Sequence, residues 1–305
     1  MKIFYTDVFE LPLPDGHRFP MSKYRLLRER INSSAIRSQI HLLVPQASPD
    51  DELSLVHDRE YIRKLETGDL ADVEERRIGF PWSKKMLERS RRSTGASVDA
   101  GFAAMADRVS VNLAGGTHHA FADCGQGYCV FNDTCVAARV LQQRGLVKNV
   151  AIVDLDVHQG NGTAAICQGD QSIFTLSIHC DKNYPFRKTD SDLDYALPVG
   201  CEDGEYLDVL DSALAELSNR FKPELVFYVS GADPYSGDRL GQLSLSKQGL
   251  LQRDQRFFEW CAENHLPTVV TMGGGYSPDI QDIVDIHFET VFQALGYFEN
   301  SRVHL

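Results

Sequence analysis

Five apolar runs alternate with stretches of helical period, and no other feature limits the fold of this chain so tightly. Val109–Leu113, Asn149–Asp154, Ile173–Ile178, Leu225–Ser230 and Thr268–Met272 read as strands buried on both faces, because hardly a polar residue interrupts them. Between and around them Ser83–Asp107, Asp133–Arg144, Gly204–Phe221, Ser246–Asn264 and Pro278–Leu295 carry the amphipathic period of helices. That alternation predicts an α/β fold, a parallel sheet covered by helices on both faces. The first eighty residues are less regular, with helices expected over Tyr24–Ile31 and Asp58–Thr67. No linker, low-complexity tract or repeat divides the 305 residues, so residues 1–305 read as one domain with ample core.

Strands of such a sheet deliver ligands at their carboxyl ends, and the unusual residues fall there. Val150–Val153 runs straight into Asp154-Leu155-Asp156-Val157-His158, then the glycine-rich Gln159-Gly160-Asn161-Gly162. Alternation along a continuing strand would send Asp154, Asp156 and His158 to one side. Two carboxylates and an imidazole are costly to bury without a compensating cation. Two readings of this segment stay open, a metal site and an Asp-His hydrogen-bond cluster that caps the sheet. Gly115-Gly116-Thr117-His118-His119 follows one strand, Ser230-Gly231-Ala232-Asp233 ends another, and Gly273-Gly274-Gly275-Tyr276 ends a third. Four such strand ends together are hard to explain by packing.

Asp156, His158 and Asp233 could supply three ligands and leave a position open, the pattern of a catalytic zinc site. Their oxygen-rich character leaves Fe²⁺ or another divalent ion open as well. His118 and His119 suit proton transfer, each needing a partner on its second nitrogen, for which Asp154 and Asn161 are at hand. Tyr276 could present its hydroxyl to a developing oxyanion.

These motifs in this order, with Gly127-Tyr128-Cys129-Val130-Phe131-Asn132-Asp133 and Gly237-Asp238-Arg239-Leu240-Gly241, resemble the zinc-dependent histone deacetylase family over essentially the whole chain. The branch most similar is the short class IV and its bacterial relatives. The resemblance implies the arginase/deacetylase fold, three α/β/α layers around a mostly parallel sheet of about eight strands. It makes Asp156, His158 and Asp233 the zinc ligands and His119 the general base that also protonates the leaving amine. His118, paired with Asp154, becomes an electrostatic partner, and Tyr276 polarises the acyl carbonyl. Gly127, Tyr128 and Gly274 would line a narrow tunnel for the lysine stem. A structural monovalent-cation site, suited to K⁺, would use Asp154, Ser177 and the main-chain carbonyls of Asp156 and His158. Two departures stand out. Asn161 takes the place of an aspartate common in nuclear members, which lowers the expected pKa of His119. Arg239 replaces the usual proline, and no acidic loop residue matches the one that grips the substrate backbone in many members.

The implied function is removal of acetyl or longer acyl groups from lysine ε-amines of proteins. A net charge of −12 and the missing acidic residue motivate an alternative, a deacylase of small cationic amides such as acetylpolyamines. Asn161 motivates another, a weakly catalytic acyl-lysine binder. The acidic balance argues against direct nucleic-acid binding. No apolar stretch reaches bilayer length and the chain opens without a signal-like h-region. Seven cysteines without paired spacing read as free thiols of a reducing, cytoplasmic setting. Arg89-Ser90-Arg91-Arg92, inside a helical pattern, reads as a solvated face.

Overall fold

The computed structural model describes residues 1–9 and 11–303. Eight strands form one sheet: β1 (Lys2–Phe4), β2 (His41–Leu43), β3 (Val109–Asn112), β4 (Val150–Asp154), β5 (Ile173–Cys180), β6 (Leu193–Leu197), β7 (Leu225–Ser230) and β8 (Thr268–Met272). Their order is β2-β1-β3-β8-β7-β4-β5-β6, and every pairing is parallel. The helices are α1 (Lys23–Ser33), α2 (Asp50–Leu53), α3 (Arg59–Thr67), α4 (Asp72–Ile78), α5 (Lys84–Asp107), α6 (Asp133–Gln143), α7 (Asn161–Cys167), α8 (Asp203–Arg220), α9 (Lys247–Glu263) and α10 (Ile280–Val303).

The five expected strands are all present, and their unbroken apolar runs serve two separate cores. In β4, Ala151 and Val153 point to a cluster shared with α1, α8, α9 and α10. Val150 and Ile152 point the other way, to a cluster shared with α3, α5 and α6. In β7, Val226 and Tyr228 join the first cluster and Leu225, Phe227 and Val229 the second. Every β4 and β7 residue is buried, as a strand sandwiched between helical layers requires. These are the three layers expected from the alternation.

Caps set where the helices start. Ser83 Oγ accepts from Met86 N (3.1 Å) ahead of α5, Asn132 Oδ1 from Cys135 N (3.2 Å) ahead of α6, and Ser246 Oγ from Gly249 N (2.9 Å) ahead of α9. Three strands exceed the five apolar runs. β1 and β2 are three residues each, and β6 is an edge strand whose Leu193-Asp194-Tyr195-Ala196-Leu197 carries a polar alternation. Because all strands run the same way, the carboxyl ends of β3, β8, β7 and β4, the four central strands, lie along one edge.

Candidate active site

β4 ends at Asp154, so the expected strand alternation does not extend to Asp156 and His158. The chain leaves the sheet in bends before α7, and hydrogen bonds within the segment shape it instead. Asp154 Oδ1 accepts from Asp156 N (3.1 Å), and Asp156 Oδ1 from His158 N (2.9 Å). Asp233, just past β7, accepts from Val157 N on Oδ1 (3.0 Å), while Gly274 N donates to Asp156 Oδ2 (2.6 Å). Backbone from the ends of β4 and β8 thus positions the carboxylates of Asp156 and Asp233.

Asp156, His158 and Asp233 each aim a ligand atom into one buried spot, all within 4.8 Å of one another. His158 Nδ1 lies 3.0 Å from Asp156 Oδ1 and 3.2 Å from Asp233 Oδ2. Its N–H is given to Asp156, so the second approach is ionic only, and Asp233 Oδ2 is buried without a hydrogen-bond donor. Burial opposes charge on His158, yet the hydrogen bond to Asp156 and the close approach and charge of both aspartates raise its pKa to about 10. Burial and the Asp156 charge push Asp233 up to about 7. A proton on His158 therefore does the work that a divalent cation would do better, and an orphaned carboxylate oxygen among two carboxylates and an imidazole fits such an ion. Gly274 completes the fit: a Cβ there would lie 1.7 Å from Asp233 Oδ2.

His118 and His119 stand beside this cluster with ring centroids 4.1 Å apart. His118 Nδ1 is 2.6 Å from Asp154 Oδ2, and its Nε2 is 3.9 Å from Asp156 Oδ1. Burial alone would lower its pKa, but these two carboxylates raise it to about 9. His119 Nδ1 donates to Asn161 Oδ1 (2.8 Å), leaving Nε2 with its lone pair. Burial, then the charges of His118 and His158, drive its pKa well below the usual range. The hydrogen bond to Asn161 opposes this shift without reversing it.

A tunnel leads to this point. Gly127 has φ +56 and its α-carbon faces His119, where a Cβ would come within 2.7 Å of the ring. Tyr128, also in the left-handed region at φ 66, stands 6.1 Å from the Tyr276 ring. Tyr276 faces His158 edge-on at 6.4 Å. Gly274 lies deeper than the tunnel wall assigned to it, lining an inner cavity of about 50 Å³ with Lys23, Arg89, His118 and Tyr276. That volume suits a few waters. Ser177 is the register partner of Asp154 across β4 and β5, and its Oγ is engaged with His179 Nδ1 at 3.0 Å.

Several contributors escaped the sequence reading. Tyr184, in the loop between β5 and β6, stands edge-on to His119 at 5.0 Å and lines the same recess as Tyr128. Gln159 anchors that loop by donating to Thr189 O (2.9 Å) and Asp194 Oδ1 (2.9 Å). Arg253, fully buried on α9, donates to Gly231 O (2.6 Å) and Leu155 O (3.4 Å), the backbone just before Asp233 and Asp156. A charge amid the apolar face of Leu250, Phe257 and Phe258 was its available signal. The solvated face expected at Arg89–Arg92 is a correction. Arg89 is buried against the Tyr24 ring at 4.7 Å with Nη2 unpartnered, and Arg91 is ion-paired to Asp50 and Glu66. All seven cysteines are free, and no helix among the described residues is long and apolar enough to cross a membrane.

With this geometry in hand, comparison with known proteins is direct. Residues 17–291 match the histone deacetylase domain. The chain is 40% identical over 285 residues to an uncharacterized protein of Picosynechococcus, covering 93% of this chain and 95% of that one. It is 30% identical over 288 residues to histone deacetylase 2 of Arabidopsis thaliana, covering 90% and 74%. Its fold superimposes on the crystal structure of a histone deacetylase homologue complexed with SAHA at a TM-score of 0.80 and 23% identity, over 97% and 83% of the two chains.

Proposed function

Since the chain belongs to the histone deacetylase family, we propose that it is a zinc-dependent hydrolase removing acetyl or longer acyl groups from protein lysine ε-amines. One observation carries this reading. The buried Asp156-His158-Asp233 cluster lies at the foot of an aromatic tunnel, with a neutral histidine and a tyrosine on either side. Asp156, His158 and Asp233 would hold a divalent ion, which would supply polarisation of the acyl carbonyl and acidification of water.

The chain's own residues divide the remaining work. Tyr128, Tyr184 and Gly127 hold the methylenes of the lysine stem and exclude bulk water. His119 Nε2 accepts a proton from the attacking water, and Asn161 fixes the tautomer that makes this nitrogen available. Charge growing on the carbonyl oxygen meets the Tyr276 hydroxyl, a donor kept protonated by burial. Collapse of the tetrahedral adduct returns the proton from His119 to the departing amine. Burial, and then the charge of His118 beside Asp154, keep His119 neutral between turnovers. Lys23 and the unpartnered Nη2 of Arg89 face the inner cavity and suit the carboxylate product.

The test is hydrolysis of one peptide carrying acetyl-, butyryl- or myristoyl-lysine, by zinc-loaded protein with and without chelator. Chelator-sensitive turnover of any of the three supports the reading. Silence on all three refutes it.

A further inference from the structure

The mouth of the tunnel, a recess of about 480 Å³, is charged against the trend of the chain. Acidic residues outnumber basic ones 43 to 31 overall. Yet Arg76, Arg77, Lys182 and Arg239 line the mouth and no carboxylate does. A smaller recess beside Tyr276 adds Arg18 next to Arg239. These cations converge from separate segments: the chain before α1, the last turn of α4, the β5–β6 loop and the β7–α9 loop. A random draw from this composition would bring acids to the rim, not exclude them.

The cations are largely unspent. Lys182 pairs with Asp181 at 2.8 Å. Arg77 lies near the Cys124 thiol and within the field of Glu74. Arg239 donates through Nε to Tyr276 O (2.9 Å), which leaves both terminal nitrogens to the rim. Arg18 and Arg76 are exposed and enter no ion pair among the described residues. On the same rim Phe186 is 87% exposed, meeting Tyr184 edge-on at 6.4 Å. A mouth this wide, with an aromatic on its lip, has room for residues on both sides of an inserted lysine.

Resting on the deacylase reading above, we infer that the substrate is an acyl-lysine within an acidic stretch of polypeptide, whose flanking carboxylates meet Arg76, Arg77 and Arg239. The rim then supplies by charge what the missing acidic loop residue supplies by hydrogen bonding in other members. It also disfavours a cationic amide such as an acetylpolyamine, which would bring like charge to the same place. Exposed pairs of this kind contribute individually little and collectively steer binding, in a salt-dependent way.

The experiment uses one acyl-lysine peptide with glutamate, serine or lysine at the flanking positions, beside free Nε-acetyl-lysine and acetylspermidine. Affinity is read by competition against a labelled peptide on chelator-treated protein, so that no turnover is needed, and kcat/KM on zinc-loaded protein. The glutamate-flanked peptide is expected to lead the lysine-flanked one by about tenfold at low salt, the gap shrinking by 0.5 M salt as screening shortens to within ~5 Å. The double variant Arg76→Gln, Arg77→Gln should shrink the ranking while leaving kcat on the serine-flanked peptide unchanged. Equal binding of all flanks, or a lead for acetylspermidine or the free amino acid, overturns the inference. Charge-ranked binding without hydrolysis of any acyl-lysine would instead refute the deacylase reading and leave the acidic preference standing.

Discussion

Replacing Gly274 by alanine tests whether the carboxylate cluster is built around an ion. The added methyl would lie 1.7 Å from Asp233 Oδ2, 2.6 Å from its Cγ and 2.9 Å from Asp156 Oδ2. Contacts below 3.0 Å are essentially never seen, so something must retreat by more than 1 Å. Asp233 has no free direction, being fully buried with Oδ1 held by Val157 N at 3.0 Å. The Gly274 backbone is tied to Asp156 Oδ2 at 2.6 Å, so moving it drags the other carboxylate. Ligand distances in metal sites tolerate about 0.2 Å, and either escape removes one aspartate from the set. Zinc affinity should fall about 100-fold or more, ~2.7 kcal/mol. Overpacking should cost folding about 1–3 kcal/mol. The assay is zinc content by mass spectrometry after dialysis against graded chelator, with urea unfolding in excess chelator to read stability without bound metal. Gly204→Ala, in the first turn of α8 with nothing within 4 Å of the new methyl, should leave both unchanged or add about 0.5–1 kcal/mol of stability. Wild-type zinc retention in Gly274→Ala would refute the assignment of Asp156 and Asp233 as ligands.

The remaining predictions concern groups around the cluster. His119→Ala should abolish turnover with zinc still bound, and residual activity near wild type would remove it from the base role. Tyr276→Phe should lower kcat by about 10²–10³, the scale of one lost oxyanion donor, again with zinc content unchanged. His57, outside the cluster, is a pH probe of the fold. Burial lowers its pKa to about 4 despite hydrogen bonds to main-chain carbonyls, and its Nε2 accepts from Asn132 N at 2.9 Å. A histidine that folds neutral contributes its stability above the unfolded value of 6.5 and loses it as pH falls towards 4. Between pH 7 and 5 the loss should be about 2 kcal/mol. A urea midpoint that moves no more in wild type than in His57→Asn would contradict this.

How much of this was legible depended on where each residue gets its position. The central strands could be read because burial on both faces forces an unbroken apolar run, as in Val150–Val153. β1 and β2 are too short to show a period, and β6 alternates too weakly to stand out from a loop. The helix α7 hid behind Gly160-Asn161-Gly162, whose glycines signal a turn more loudly than the next five residues signal a helix. At the site, side chains fixed by strand ends (Asp154, His118, Asp233, Tyr276) were visible as motifs. Tyr184 was not, because a loop whose path is set by Gln159 has no local signature. Arg89 was misread for a related reason. A charge on a helix looks solvated in sequence, and only the packing of α5 against Tyr24 puts this one inside.

The strand order has a consequence for how the chain is made. β8 lies between β3 and β7, pairing with both, yet it is the last strand in the sequence. Until Thr268–Met272 has been synthesised, β2-β1-β3 and β7-β4-β5-β6 are two half-sheets, each with a bare apolar edge open to wrong partners. Inserting β8 seals both edges at once and, through the residues that follow it, brings Gly274 and Tyr276 to the aspartates and histidines already in place. Assembly of the sheet and completion of the pocket are therefore a single late event. A ribosome-bound or truncated chain lacking that strand keeps Asp156, His158 and Asp233 together at the paired ends of β4 and β7, but without the Gly274 and Tyr276 that complete the pocket.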